Sequence, residues 1–315
     1  MKRRRTGLFV FVLLLSISAV SVLGTALFVN SGKNKSKSSG KLTIVTSFYP
    51  VYISAMNVTD GADVDLENLT EPSTGCLHDY TLTPKDMKLL STADIFLVNG
   101  GGIENFLTDV AESYPNLKII DLSRNFTDEE LEQIHEAGGE TDEQGEANAH
   151  YWMSVTLLKT QVDTMAKGLA DADPANASLY QSNAEAYEKE LEGLQAKEKK
   201  VAGKLSNAVI FHAAFYYLCQ DLNCQVAYTL DLDEERQVSA GETRDTADAL
   251  KTMSNPVILA EKTYGQEMAE RMQTETGCKV IYLDPLTRSN GNYEKDAYLK
   301  GMEENLAKIE AAIGQ

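Results

Sequence analysis

The sequence predicts an α/β protein: two open α/β lobes with mainly parallel sheets, joined by one long rigid helix, with a ligand cleft between the lobes. Three observations predict it. Short apolar runs alternate with helix-like stretches through residues 42–122 and again through 207–313, the rhythm of parallel-sheet units. Between the two series, residues 174–204 carry Tyr180, Ala184, Tyr187, Leu191, Leu194 and Val201 at helical spacing without a break. The length, 315 residues, suffices for two domains of ordinary size, each with its own core.

Each element follows from local pattern. LTIVTS at 42–47 reads as a buried strand and the stretch with Tyr49, Val51, Tyr52, Ile53 and Met56 as a helix. Val64 to Leu69 reads as a second strand. Pro84 to Leu90 opens a helix with Thr83 as its N-cap and Asp86 in its first turn. ADIFLVN at 93–99 is an apolar strand, Ile103 to Tyr114 a helix, and KIIDL at 118–122 a strand. Residues 151–173 look helical and complete an N-terminal lobe of 41–173. The connecting helix, 174–204, has Lys and Glu on its exposed face. In the C-terminal lobe, 205–315, NAVIF, Cys224 to Leu230, PVILAE and VIYL read as strands. Ala213 to Asp221, Thr243 to Met253, Gln266 to Gly277 and Tyr293 to Ile313 read as helices. Open lobes of this kind place their cleft at the carboxyl ends of the strands.

The first 40 residues differ in kind. Lys2, Arg3, Arg4 and Arg5 precede 23 uncharged positions, Gly7 to Val29. A basic cluster before an apolar run reads as a secretory signal, and the run is long enough to span a bilayer with the remainder outside. The Ser-, Gly- and Lys-rich stretch to Lys41 reads as a flexible tether. The location expected is extracytoplasmic, secreted or anchored to the outer face of the cell membrane.

Residues 1–40 hold seven Lys or Arg and no acid, so the body carries a net charge of −25 against −18 for the whole chain. Such a surface excludes nucleic acid, whose phosphates need clustered Lys and Arg, and suits cations. Residues 125–149 hold nine Asp or Glu, one His and no Lys or Arg, and read as a mobile acidic surface loop. The four cysteines, Cys76, Cys219, Cys224 and Cys278, form no CxxC pair, which argues against a Cys-based zinc ribbon. They allow three disulfide connectivities.

There are four histidines. His78 follows the second strand, His150 stands where the acidic loop meets a helix, and His212 follows the first strand of the second lobe. Asp284 ends the last strand in the same way. A lone His in such a place is usually structural; three of them at boundaries facing one cleft point to metal. Three imidazoles and one carboxylate make a tetrahedral zinc set, whereas a manganese site calls for more carboxylate oxygen. Glu261, at the end of PVILAE, is a rival fourth ligand. Cys76 is chemically able to bind metal, though an oxidising space favours its being paired or buried. His135, inside the acidic loop, reads as an ordinary loop residue. NGGG at 99–102 is reminiscent of a phosphate-binding turn but lacks the spacing, and a tight strand-to-helix turn explains it. There is no GxSxG, HExxH or P-loop.

Six segments carry a family resemblance: IVTSFYPVY at 44–52, HDYTLTPKDMKLLSTAD at 78–94, FLVNGGGIENFL at 96–107, AHYWMS at 149–154, FHAAFYYL at 211–218 and VIYLDPL at 280–286. The chain resembles the zinc- and manganese-specific solute-binding proteins of ABC importers, the cluster A-I type, over residues 41–315. The resemblance implies metal bound between two lobes by His78, His150, His212 and Asp284. It implies capture of a zinc ion outside the cytoplasm and delivery to an ABC permease, by a monomer that is not an enzyme. His212, where manganese-type members tend to carry Glu, favours zinc; manganese is the alternative. Two further readings are a zinc-dependent hydrolase, for which loss of Asp284 from the shell with Glu261 as base would speak, and an adhesin or sensor that keeps the metal as a staple.

Overall fold

The computed structural model describes residues 41–127, 130, 148–232, 237–289, 291 and 293–314. The basic and apolar N-terminal segment with its tether, His135 and most of the acidic stretch lie outside the described residues.

The first lobe holds β1 (Leu42–Thr46), β2 (Val64–Asn68), β3 (Ile95–Val98) and β4 (Lys118–Asp121) in one sheet of order β2-β1-β3-β4. Every pairing is parallel. The central strand β3, IFLV, is buried at all four positions, as expected of a strand covered on both faces. Helices α1 (Tyr49–Val58), α2 (Pro84–Thr92) and α3 (Leu107–Ser113) connect the strands. Thr83 caps α2 as the sequence predicts: its Oγ1 accepts from Asp86 N at 3.3 Å, and Asp86 Oδ2 accepts from Thr83 N at 2.8 Å. Two otherwise orphaned N–H groups are thereby satisfied.

Helix α3 starts four residues later than the pattern predicts, and the turn before it explains why. Gly100, Gly101 and Gly102 all have positive φ, a region that costs other residues strain. A Cβ on Gly100 would stand 2.0 Å from Asp121 Oδ1, and one on Gly101 2.2 Å from the Tyr151 hydroxyl. The Glu104 carboxylate folds back to accept from the N–H groups of Asn99 and Gly100 at 2.7 and 3.1 Å. The anion cradle formed by this turn is thus filled by the chain's own acid, which burial pushes up to a pKa of about 7.

The second lobe repeats the plan. β5 (Asn207–Ile210), β6 (Gln225–Thr229), β7 (Val257–Glu261) and β8 (Lys279–Leu283) form a parallel sheet of order β6-β5-β7-β8. Its helices are α6 (Phe215–Asp221), α7 (Ala240–Thr252), α8 (Lys262–Thr276) and α9 (Ala297–Ile313). α7 begins three residues before the predicted start because Ser239 and Glu242 form a second capping box.

Two helices lie between the sheets: α4 (Val155–Ala172) and α5 (Ala177–Val201). α5 has 25 residues, about 38 Å of rigid rod. It packs on α4 and α1 on one side and on α9 on the other. One hydrophobic core runs through the junction, joining Phe48 and Val162 to Leu191, Phe215 and Met302. The single tryptophan sits there: Trp152 Nε1 donates to Pro285 O, and the Tyr298 hydroxyl donates to Trp152 O, both at 2.8 Å. A shared core cannot be parted without exposing apolar surface, so a wide hinge between the lobes is disfavoured.

Candidate metal centre

The carboxyl ends of both sheets face one another at the junction, where strand order makes such ends a binding crevice. His212 lies two residues past the end of β5, Glu261 is the last residue of β7 and Asp284 follows β8. The first lobe contributes loops: residues 69–83 between β2 and α2 carry Cys76 and His78, and His150 precedes a single 3-10 turn, Tyr151–Met153.

Three ligand atoms converge. Cys76 Sγ stands 3.6 Å from His150 Nε2 and 3.7 Å from His212 Nε2. A donor atom from each of Cys76, His150 and His212 lies within 4.8 Å of the other two. His150 and His212 are buried, with 2% and 1% of their surface exposed, and Cys76 is half-buried. The His78 ring packs beside that of His150, centroids 5.2 Å apart, and the His150 and His212 rings are 5.1 Å apart. Of the predicted histidines, His150 and His212 therefore meet, and His78 adjoins the His150 ring without entering the convergent set. Asp284 does not join them: it is exposed, its Oδ1 accepts from Leu286 N at 2.8 Å, and it borders a small cavity of about 70 Å³ with Tyr49 and Arg288.

Each buried imidazole is oriented through its far nitrogen. His150 Nδ1 lies 2.8 Å from Asn148 Oδ1. The amide oxygen can only accept, so Nδ1 carries the hydrogen and Nε2 keeps its lone pair. His212 Nδ1 stands 3.2 Å from Glu261 Oε2, near enough for charge attraction although not aligned as a hydrogen bond. Glu261 Oε1 faces the Arg288 guanidinium at 3.7 Å. Partners of this kind fix a metal-binding histidine's tautomer and raise its basicity. Asn148 is itself held across the junction, its Nδ2 donating to Ala213 O at 2.9 Å.

The two histidines differ electrostatically. Burial holds His150 well below its ordinary pKa, with His212 and His78 adding like-charge repulsion. Burial also pulls His212 down, but the Cys76 sulfur, Glu261 and Asp231 outweigh it and lift His212 well above its ordinary value. Two imidazole nitrogens and a sulfur around one point, with Glu261 and Asp231 near His212, form a donor set suited to a divalent cation.

Of the residues singled out from the sequence, the structure brings His150 and His212 together with Cys76, which was named as able to bind; Asn148 was not among them. An Asn two residues before a candidate ligand was the signal available for it. None of the four cysteines is in a disulfide; Cys219 and Cys224 adjoin at the end of α6, with Cys224 N donating to Cys219 O at 2.8 Å.

The chain is similar to known metal-binding and metal-uptake proteins. Residues 44–312 match the family model described as zinc-uptake complex component A, periplasmic. The iron-binding protein YfeA of Yersinia pestis is 27% identical over 278 residues, 86% of this chain and 86% of its own. The high-affinity zinc uptake system protein ZnuA of Bacillus subtilis is 27% identical over 328 aligned residues, 99% of each chain. Among solved structures, the SBP FpvC of Pseudomonas aeruginosa in complex with Mn2+ superposes with a TM-score of 0.73 at 25% identity, covering 87% of this chain and 98% of its own.

Proposed function

The chain belongs to the family of periplasmic A components of zinc-uptake complexes, and on that premise we propose that the ion it captures and passes to its ABC permease is zinc. Its relatives divide between metals, iron for one and zinc for another, so the choice of zinc rests on this chain's own donors. The observation that carries it is the pair of buried imidazoles whose Nε2 atoms converge on one point while their Nδ1 atoms face Asn148 and Glu261. Imidazole nitrogen suits zinc; manganese is suited by carboxylate and water oxygen.

In this reading the centre takes His78 from the first lobe as a third imidazole. Asp284 serves the approach, its exposed carboxylate drawing the cation towards the neighbouring cavity. Binding displaces protons from any donor that carries one, so capture weakens as pH falls. The shared core around α5 limits the change on loading to the loops at the junction. The protein acts as a monomer outside the cytoplasm.

Hydrolysis would need an open coordination position and a base facing it. Glu261, the base weighed for that role, has its two oxygens against His212 Nδ1 and Arg288. It orients a ligand from behind and does not face the point where an ion would sit, which supports transport over catalysis.

Thermal unfolding of the chelator-stripped chain tests the proposal. Zinc should raise Tm by an amount that grows with the logarithm of its affinity, and well beyond an equal concentration of manganese. A larger shift from manganese would move the assignment to a manganese importer.

A further inference from the structure

We infer that the Cys76 thiolate is itself a metal ligand, making the site a sulfur-and-imidazole centre in place of a histidine-and-carboxylate one. This rests on the capture reading above and deepens it by naming the donor that selects the metal.

The argument is geometric. In a tetrahedral zinc site the Zn–S bond is about 2.3 Å and Zn–N about 2.0–2.1 Å, so sulfur and nitrogen of one shell stand about 3.5–3.6 Å apart. Cys76 Sγ is 3.6 Å from His150 Nε2 and 3.7 Å from His212 Nε2. Both contacts use Nε2, the ring nitrogen on the side away from the outer partners Asn148 and Glu261. Two independently oriented imidazoles thus present their donor atoms to one sulfur at the edge length of a zinc tetrahedron.

The loop that carries Cys76 is built to hold it there. Gly75 precedes it with φ +91, and a Cβ at Gly75 would stand 2.6 Å from the Arg288 guanidinium. The loop is therefore pressed against the second lobe where only glycine fits. Ser289 N donates to Pro72 O at 2.8 Å, and Leu77, on the other side of the cysteine, is fully buried. The same Arg288 that covers Gly75 faces Glu261, which orients His212. One guanidinium therefore sets the positions of two donors from opposite lobes.

The chemistry has a consequence for selection. A thiolate supplies the single negative charge that a carboxylate would have brought, which is why Asp284 can stand outside the cluster. It brings that charge on a soft donor, which favours zinc over manganese, the hard-oxygen metal. His78, packed on the His150 ring, is the donor placed to fill the remaining position.

X-ray absorption on the zinc-loaded chain tests this without any substitution. One Zn–S distance of about 2.3 Å is the expected result, and a shell of nitrogen and oxygen alone would overturn it. Cobalt(II) loading gives a second readout. The parent should show a near-ultraviolet sulfur-to-cobalt charge-transfer band that Cys76→Ser loses. The same variant should bind zinc more weakly by more than about 100-fold, beyond the loss of a mere outer partner, with its manganese affinity little changed. Parent-like zinc affinity in Cys76→Ser would also overturn the assignment. Tight zinc binding without sulfur contradicts this inference alone; no zinc binding by the parent contradicts the capture reading and the thiolate with it.

Discussion

The two lobes share one strand order, β2-β1-β3-β4 against β6-β5-β7-β8, yet they hold the site in different ways. The first lobe presents its donors on loops: Cys76 and His78 in the segment before α2, and His150 where the chain enters a 3-10 turn. The second presents His212 and its partner Glu261 at strand ends. The outer partners differ to match, a neutral amide behind His150 and a carboxylate backed by an arginine behind His212. A repeated fold thus supplies a loop-borne half whose buried imidazole has a neutral partner and a second half, borne at strand ends, whose imidazole has a charged one.

That contrast can be broken where the lobes meet. Trp152→Ala removes a fully buried ring and the donor to Pro285 O. It should cost about 3–5 kcal/mol in denaturant unfolding. A cost under about 1 kcal/mol, the scale of a surface change, would show that the lobes do not depend on this junction.

The outer partners sharpen the contrast next. Asn148→Ala and Glu261→Gln should each weaken zinc about 10- to 100-fold, and Glu261→Gln should be the worse of the two because it removes a charge. Equal losses, read by competition with a chromophoric chelator, would remove the distinction between the halves.

The connecting rod carries a pH effect of its own. Glu198 on α5 is buried, its Oε1 has no hydrogen-bond partner, and burial first and Asp221 second push it up to about 8. A carboxyl whose folded pKa exceeds its unfolded value of about 4.5 stabilises the fold fully below that value and loses the effect as pH rises. Stability should therefore fall between about pH 4.5 and 8, by up to about 1.4 kcal/mol per pH unit. Glu198→Gln should flatten that slope, as seen by urea unfolding across the range; an unchanged slope would assign it elsewhere. The smallest effect belongs to the exposed pair Lys295 and Asp60, which faces across the lobes. Lys295→Ala should change stability by less than about 1 kcal/mol.

Much of this was legible in the chain. IFLV and VILAE are apolar runs too short for helices, and both became buried central strands. Thr83 with Asp86 announced a helix start. The same spacing at Ser239 and Glu242 was equally readable and was passed over, which put α7 three residues late. The pattern at 103–114 promised a helix throughout, but three glycines with positive φ and the back-folded Glu104 delay it to Leu107. At the site, the position of His212 was legible because strand ends in open α/β lobes face the cleft, and that of His150 because it stands where the acidic stretch meets a helix. That Cys76 comes to lie beside them was not, because the segment 69–83 before α2 has no periodicity from which a direction can be read. Its meeting with His150 spans 74 residues and that with His212 spans 136, and only the folded loop brings them together.

The central claim is that one zinc ion is held between the lobes with His212 as the second lobe's donor. Calorimetric titration of the metal-stripped chain and of His212→Ala, with zinc and then manganese, tests it most directly. The account predicts one tight zinc site per chain, much weaker manganese binding, and a zinc affinity lowered more than about 100-fold in the variant, beyond the loss of an outer partner. Manganese binding as tight as zinc, or a variant that binds zinc like the parent, would contradict it.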